Sequence, residues 1–136
     1  MQMQNLAMLA GRVMLAAMLF WSGYGHLFSF TSIHGYVADW SVPDWIKPIL
    51  ILWEIGGGLC LLVGAYTRVA AVSLAVFCLL SFFLVHLHDD DFLQLIDFMK
   101  NIALMGGFLY VFACGAGSYS LDARFKLRWS GAPAQA

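Results

Sequence analysis

The sequence predicts an all-α membrane protein built as an antiparallel bundle of four transmembrane helices, and three observations carry that prediction. The 136 residues are 62% apolar and only 11% charged, with a mean hydropathy of +0.80, whereas a soluble domain averages about 45–50% apolar and about 25% charged. Four apolar stretches, 6–28, 45–66, 69–87 and 98–116, approach the roughly 20 residues that cross a hydrocarbon core about 30 Å thick. The few charges inside or beside those stretches, Arg12, Glu54 and Lys100, stand where charge is expensive. The spans consume nearly the whole chain, so residues 1–122 form one membrane domain whose short connections make neighbouring helices antiparallel.

The first span carries no basic segment before it, includes Arg12, and runs through Trp21, Tyr24 and His26 without a small-x-small cleavage pattern. It therefore reads as a retained helix rather than a secretory signal. The connection 29–44 is the longest, and Phe28, Phe30, Ile33, Tyr36, Val37 and Trp40 recur at roughly helical spacing, which suggests a short helix lying in the interface. Pro43 and Pro48 bracket the entry to the second span, where proline is tolerated in a first turn. The last span has Lys100 and Asn101 in its first turn and carries Gly106, Gly107, Gly115 and Gly117. Glycine is better tolerated in membrane helices than in soluble ones. Residues 123–136 form a basic, partly mobile cytoplasmic tail.

Orientation follows from the basic residues. Arg12, Arg68, Arg124, Lys126 and Arg128 share one side with Asp122, whereas Lys47 and Lys100 share the other with Asp39, Asp44, Asp89, Asp90, Asp91 and Asp97. Positive charge is retained inside, so both termini are expected in the cytoplasm and all four histidines at or beyond the outer face.

Depth separates the chemically interesting residues from the merely polar ones. Glu54 lies about 13 Å beyond Trp45 along a helix, inside the outer half of the hydrocarbon layer. A carboxylate there must be protonated, paired or open to a watery cavity. His26, His86, Lys100 and Asn101 reach the same layer from the other three helices. On a helical projection Arg12, Leu19, Gly23 and His26 share one stripe of the first helix. Gly57 and Gly58 follow Glu54 at i+3 and i+4 and allow a neighbouring backbone to approach. Lys100 is the expected partner of Glu54, with His26 or His86 as second candidates. The competing structural reading is a buried pair that only holds helix register. For Arg12 a structural role is favoured, snorkelling to the inner interface or pairing with Asp122.

Other chemistry has less support. His86, His88, Asp89, Asp90 and Asp91, with His26 and His34, resemble metal ligands in type but lack a recognised spacing, so no metal is expected. Cys60, Cys78 and Cys114 fall one per helix without a C-x-x-C pair and read as core-filling residues rather than a redox dithiol. No glycine loop cradles a phosphate, and a net charge of −1 offers nothing to nucleic acid.

Arg12, Gly25-His26, Trp53-Glu54-Ile55-Gly56-Gly57-Gly58, Gly64-Ala65-Tyr66-Thr67-Arg68, His86, Lys100-Asn101, Gly106-Gly107 and Gly117-x-x-Ser120-Leu121-Asp122 occur in an order that resembles the DoxX family of small bacterial inner-membrane proteins. The resemblance covers about residues 11–122. His26 departs from the family pattern, in which a lysine follows that glycine, so the charge here depends on pH. The resemblance implies a four-helix protein of the bacterial inner membrane, linked in some relatives to quinone-dependent or oxidative-stress systems.

The residues are compatible with a quinone. His26, Glu54, His86, Lys100 and Asn101 supply donors and proton carriers for a head group, with Glu54, His86 and Lys100 in the catalytic roles, and Trp21, Trp53, Phe82 and Phe83 supply an apolar cleft. No covalent, metal or other redox cofactor site is visible, so an oxidoreductase role needs electrons from a partner protein or a bound small molecule. The rival readings are an accessory subunit of a larger membrane complex, or a homo-oligomer, packed through glycine-rich faces, and a small transporter of an apolar or weakly acidic molecule.

Overall fold

Apolar residues repeated through long stretches dominate the helices of the computed structural model, which describes residues 2–31, 43, 45–85 and 92–125. They are α1 (Gln2–Thr31), α2 (Lys47–Val63), α3 (Thr67–Val85), α4 (Phe92–Cys114) and the short α5 (Leu121–Arg124). The described residues contain no strand. The four long helices coincide with the four expected spans but not in their limits. α4 begins at Phe92 rather than at 98, so Lys100 and Asn101 lie beyond its second turn. Charge marks where hydrocarbon ends, not where a helix ends, because a helix satisfies its own backbone on both sides of that boundary. The proposed interfacial helix lies largely outside the described residues, although α1 continues into that segment as far as Thr31.

Local chemistry accounts for the limits of α2. Pro48 sits in its first turn, where the missing N–H would have no intrahelical partner. At its other end Gly64 adopts φ +69°, and its N–H donates to the Leu61 carbonyl. That left-handed turn favours glycine. A side chain at Gly64 would also collide with Arg12 and Ser120. α3 starts three residues later, so α2 and α3 form a tight helical hairpin.

α1 packs on α2 and α4, and α3 packs on α2 and α4, which closes the helices into a four-membered ring. Residue pairs show that the neighbours run antiparallel. Arg12 meets Leu61 whereas His26 meets Glu54, and Gly117 faces Met8 whereas Gly107 faces Leu15. The start of α1, the α2–α3 turn and α5 therefore share one end of the bundle, here called the termini end; the opposite end is the far end. The interior is filled by Ala16, Leu19, Leu61, Ala71, Leu74, Cys78 and Phe108. Leu19 rests on Gly58 and Leu74 on Gly57, so the two glycines of α2 seat large side chains from both flanking helices.

The exterior is apolar as well. Met14, Leu52, Leu79, Leu109, Tyr110 and Phe112 are exposed around the bundle, an outside suited to hydrocarbon rather than water. Gln2–Phe28 is long and apolar enough to cross a membrane by length and composition; Thr67–Ser81 and Phe98–Cys114 are shorter apolar segments.

Candidate functional site

Glu54 lies two turns into α2 and is only 3% exposed. The close approach of α1 at Gly23 creates its surroundings. A Cβ there would stand 2.8 Å from Ile55 Cγ1 and 3.6 Å from Glu54 Oε2, so a larger residue would force the helices apart. Three residues on, His26 turns its Nδ1 to within 3.0 Å of Glu54 Oε2. The imidazole retains 18% exposure, so it is the less buried member of the pair. A neutral imidazole protonated at Nδ1 donates to the carboxylate, and an imidazolium makes the same bond with full charge complementarity.

α3 and α4 complete the layer. Cys78 of α3 is buried and within electrostatic range of both Glu54 and Lys100. It also lines a small open cleft of about 40 Å³ with Leu79, Phe98, Asn101, Ile102 and Met105. His26, Glu54, Lys100 and Asn101, expected to share one layer, are thus contributed by α1, α2 and α4. His26, a second candidate in the sequence, is hydrogen-bonded to Glu54. Carboxyl and imidazole in contact inside an apolar bundle can accept, hold and return a proton.

The aromatic expectations divide. Trp53 is half-buried and its ring meets Phe77 at 5.7 Å. Trp21 is 78% exposed and faces outward from the bundle, away from Glu54. It lies two residues from Gly23, which turns it about 200° away from the contact with α2. Phe82 and Phe83 belong to the final turn of α3. His86 falls outside the described residues, as do His34, His88, Asp89, Asp90 and Asp91. Among the described residues no cluster of three or more His, Cys, Asp or Glu side chains is placed to hold a metal.

A second polar cluster occupies the termini end. Arg12 is 1% exposed; Nη1 donates to the Leu61 carbonyl at 3.5 Å and Nη2 donates to the Tyr119 carbonyl. Those carbonyls belong to the last turn of α2 and to the segment before α5. Asp122 lies within electrostatic range of Arg12, but its oxygens accept from the Tyr66 and Thr67 N–H groups at 2.7 and 2.9 Å. The expected Arg12–Asp122 ion pair is therefore redrawn: each charge is bonded to backbone groups. Asp122 caps α3, whose first N–H groups have no partner within the helix and carry its positive dipole end. The Asp122 N–H donates to the Gly64 carbonyl at 2.8 Å, and Ser120 caps α5 by accepting from the Ala123 N–H. Sequence reasoning missed the Tyr119 carbonyl because a main-chain acceptor leaves no residue-specific signal. Lys47, read only as an outer-side charge of the second span, is buried at the start of α2.

The DoxX family model matches residues 7–87, more than half of the chain. The chain belongs to the DoxX family. The matched segment contains Arg12, His26 and Glu54, and this family member completes both polar clusters with residues of α4 and the segment around α5. The chain is 32% identical over 128 residues to the inner membrane protein YqjF of Escherichia coli (strain K12), covering 94% of this chain and 98% of that protein. No solved structure matches it.

Proposed function

We propose that this DoxX-family protein is a multi-pass protein of the bacterial inner membrane, with both termini in the cytoplasm, that binds a quinone or similar apolar small molecule at the His26–Glu54 layer. The membrane placement is supported by the apolar exterior, by the similarity to an inner membrane protein, and by the excess of basic residues on the termini side. The ligand reading rests on one observation above all: a buried carboxylate bonded to a titratable imidazole in the outer half of an apolar bundle. In this reading Glu54 and His26 exchange the proton that a quinone head group gains or loses, and Asn101 or Lys100 holds a ring carbonyl. Electrons come from a partner protein or from a second bound molecule, since quinone chemistry needs a donor or acceptor. The deciding experiment is thermal stabilisation of the detergent-purified protein by a short-chain quinone. Glu54→Gln should preserve the fold and abolish that stabilisation; equal stabilisation of both proteins would exclude the role of Glu54.

A second reading, an accessory subunit of a larger membrane complex, is favoured by Gly11, Gly25, Gly56 and Gly106, none of which has an atom within 4 Å of the place a Cβ would take. Such positions let a partner helix approach closely. Recovery of a stoichiometric larger partner in mild detergent supports this reading, and a clean homo-oligomer counts against it.

A further inference from the structure

We infer that the corner where Arg12 meets the start of α3 is a binding site for a phosphate group, and that Asp122 fills it in cis while the C-terminal segment is seated. The site is separate from the His26–Glu54 layer and does not depend on what that layer binds. The segment is held there by hydrogen bonds rather than by burial. None of residues 116–125 is buried, whereas Arg12 and Thr67, which the segment contacts, are 1% and 0% exposed. Its attachments are the Tyr119 carbonyl to Arg12, the Asp122 N–H to the Gly64 carbonyl, and the Asp122 carboxylate to the Tyr66 and Thr67 N–H groups. A segment with few buried contacts belongs to the low-stability end of a fold and lifts without opening the apolar core.

The corner is built for an anion. α3 is a 19-residue helix, and its first N–H groups and positive dipole end favour negative charge at its start. The Arg12 guanidinium adds a full positive charge within electrostatic range of the same carboxylate. Asp122 matches this corner only in part, because its two oxygens take the two N–H groups and leave other donors over. Thr67 Oγ1 and Arg12 Nε are buried without a hydrogen-bond partner among the described residues, although buried donors are nearly always satisfied. Both belong to residues that already engage or face the carboxylate.

That surplus of donors distinguishes one class of anion from another. A carboxylate is planar, whereas a phosphomonoester presents three strong acceptor oxygens in a tetrahedral arrangement. Two oxygens can take the places of those of Asp122, and a third is left for Thr67 Oγ1 or Arg12 Nε. When the segment lifts, Arg12 Nη2 also loses the Tyr119 carbonyl, so one phosphate group replaces all that the segment supplies to α1 and α3. The exchange preserves the charge balance, since one anion succeeds another beside Arg12. Inorganic phosphate and the phosphomonoester headgroup of a lipid share this chemistry.

The test is the thermal stability of the detergent-purified full chain and of Asp122→Ala, titrated with inorganic phosphate or with acetate at equal ionic strength. Removing the cis anion should tighten phosphate binding about tenfold or more, because the site is then no longer occupied. Thr67→Val in the Asp122→Ala background should weaken it about tenfold by deleting a donor to a charged group. Acetate should stabilise little. Equal phosphate affinity with and without Asp122, or acetate acting as well as phosphate, overturns the inference. In mixed micelles, phosphatidic acid is compared with the diacylglycerol that lacks its phosphate. Stabilisation by phosphatidic acid alone assigns the site to a lipid headgroup, by inorganic phosphate alone to the free ion, and by both to either source; stabilisation by neither overturns the inference. Should Asp122→Ala fail to fold, the Tyr66 and Thr67 amide resonances of the unsubstituted protein are followed by NMR. They should move with inorganic phosphate or phosphatidic acid and not with acetate or diacylglycerol, and resonances that stay fixed with both phosphates overturn the inference.

Discussion

Arg12 and Glu54 are both charged residues sealed inside one apolar bundle, yet the structure treats them in opposite ways. Arg12 donates to two main-chain carbonyls, Leu61 and Tyr119, in a corner fastened by Asp122 and Gly64. None of those partners changes its proton count. Glu54 instead meets His26, a titratable side chain that is itself partly exposed. A charge held by fixed dipoles stabilises a fold, whereas a charge held by a titratable neighbour can change state without dismantling it. A charge fixed by backbone groups at the termini end thus stands in contrast to a carboxyl–imidazole contact in the far half.

The largest effect is expected where that stability is concentrated. Arg12→Ala leaves two carbonyls without their charged donor and Asp122 without its nearby cation, and should cost about 3 kcal/mol or more. It would be read as a lower melting temperature and poorer yield in detergent. Arg12→Lys should recover only part of this loss, because one ammonium does not reproduce the guanidinium fork. Full recovery would show that charge alone matters at this corner.

Next comes the seam joining α1 to α2. Gly23→Ala puts a methyl against Ile55 and beside Glu54, and should cost about 1–3 kcal/mol through forced separation of the helices. Its diagnostic consequence is that ligand-induced stabilisation falls together with stability. Asp122→Ala is expected to cost about 1 kcal/mol by uncapping α3, with ligand response intact. A loss of ligand response in Asp122→Ala would break the division between the two regions.

The smallest effect on stability is expected at the site itself. Glu54→Gln removes the carboxylate but keeps an acceptor for the His26 Nδ1–H, and should change stability by no more than about 1 kcal/mol, because a neutral imidazole keeps its hydrogen bond and no buried charge is left unpaired. Thermal denaturation with and without quinone separates this outcome from a structural role, in which stability would fall as steeply as in Arg12→Ala.

Much of this arrangement was legible in the residues. Apolar runs located four helices, Arg12 and Glu54 stood out as buried charges, and Gly57 and Gly58 signalled close helix contact. The start of α4 was misplaced because Asp97 and Lys100 look like a boundary in hydropathy although they do not interrupt a helix. The outward direction of Trp21 was not read because its aromatic character was weighed without its angular distance from Gly23. The helix α5 was too short to leave a periodic signal, though Ser120 and Asp122 were noted as a motif.

The sequence by itself determined the helices, the apolar exterior and the fact that each half of the bundle must accommodate a charge, because hydropathy and helical periodicity are local properties of the chain. Only the tertiary structure decided the partners. His26 reaches Glu54, Arg12 reaches the Tyr119 carbonyl, and Asp122 turns to the start of α3 because helix rotation and axial offset follow from packing. Contacts such as Ile55 on Gly23, Leu19 on Gly58 and Leu74 on Gly57 set those two quantities collectively, and no single helix contains the information.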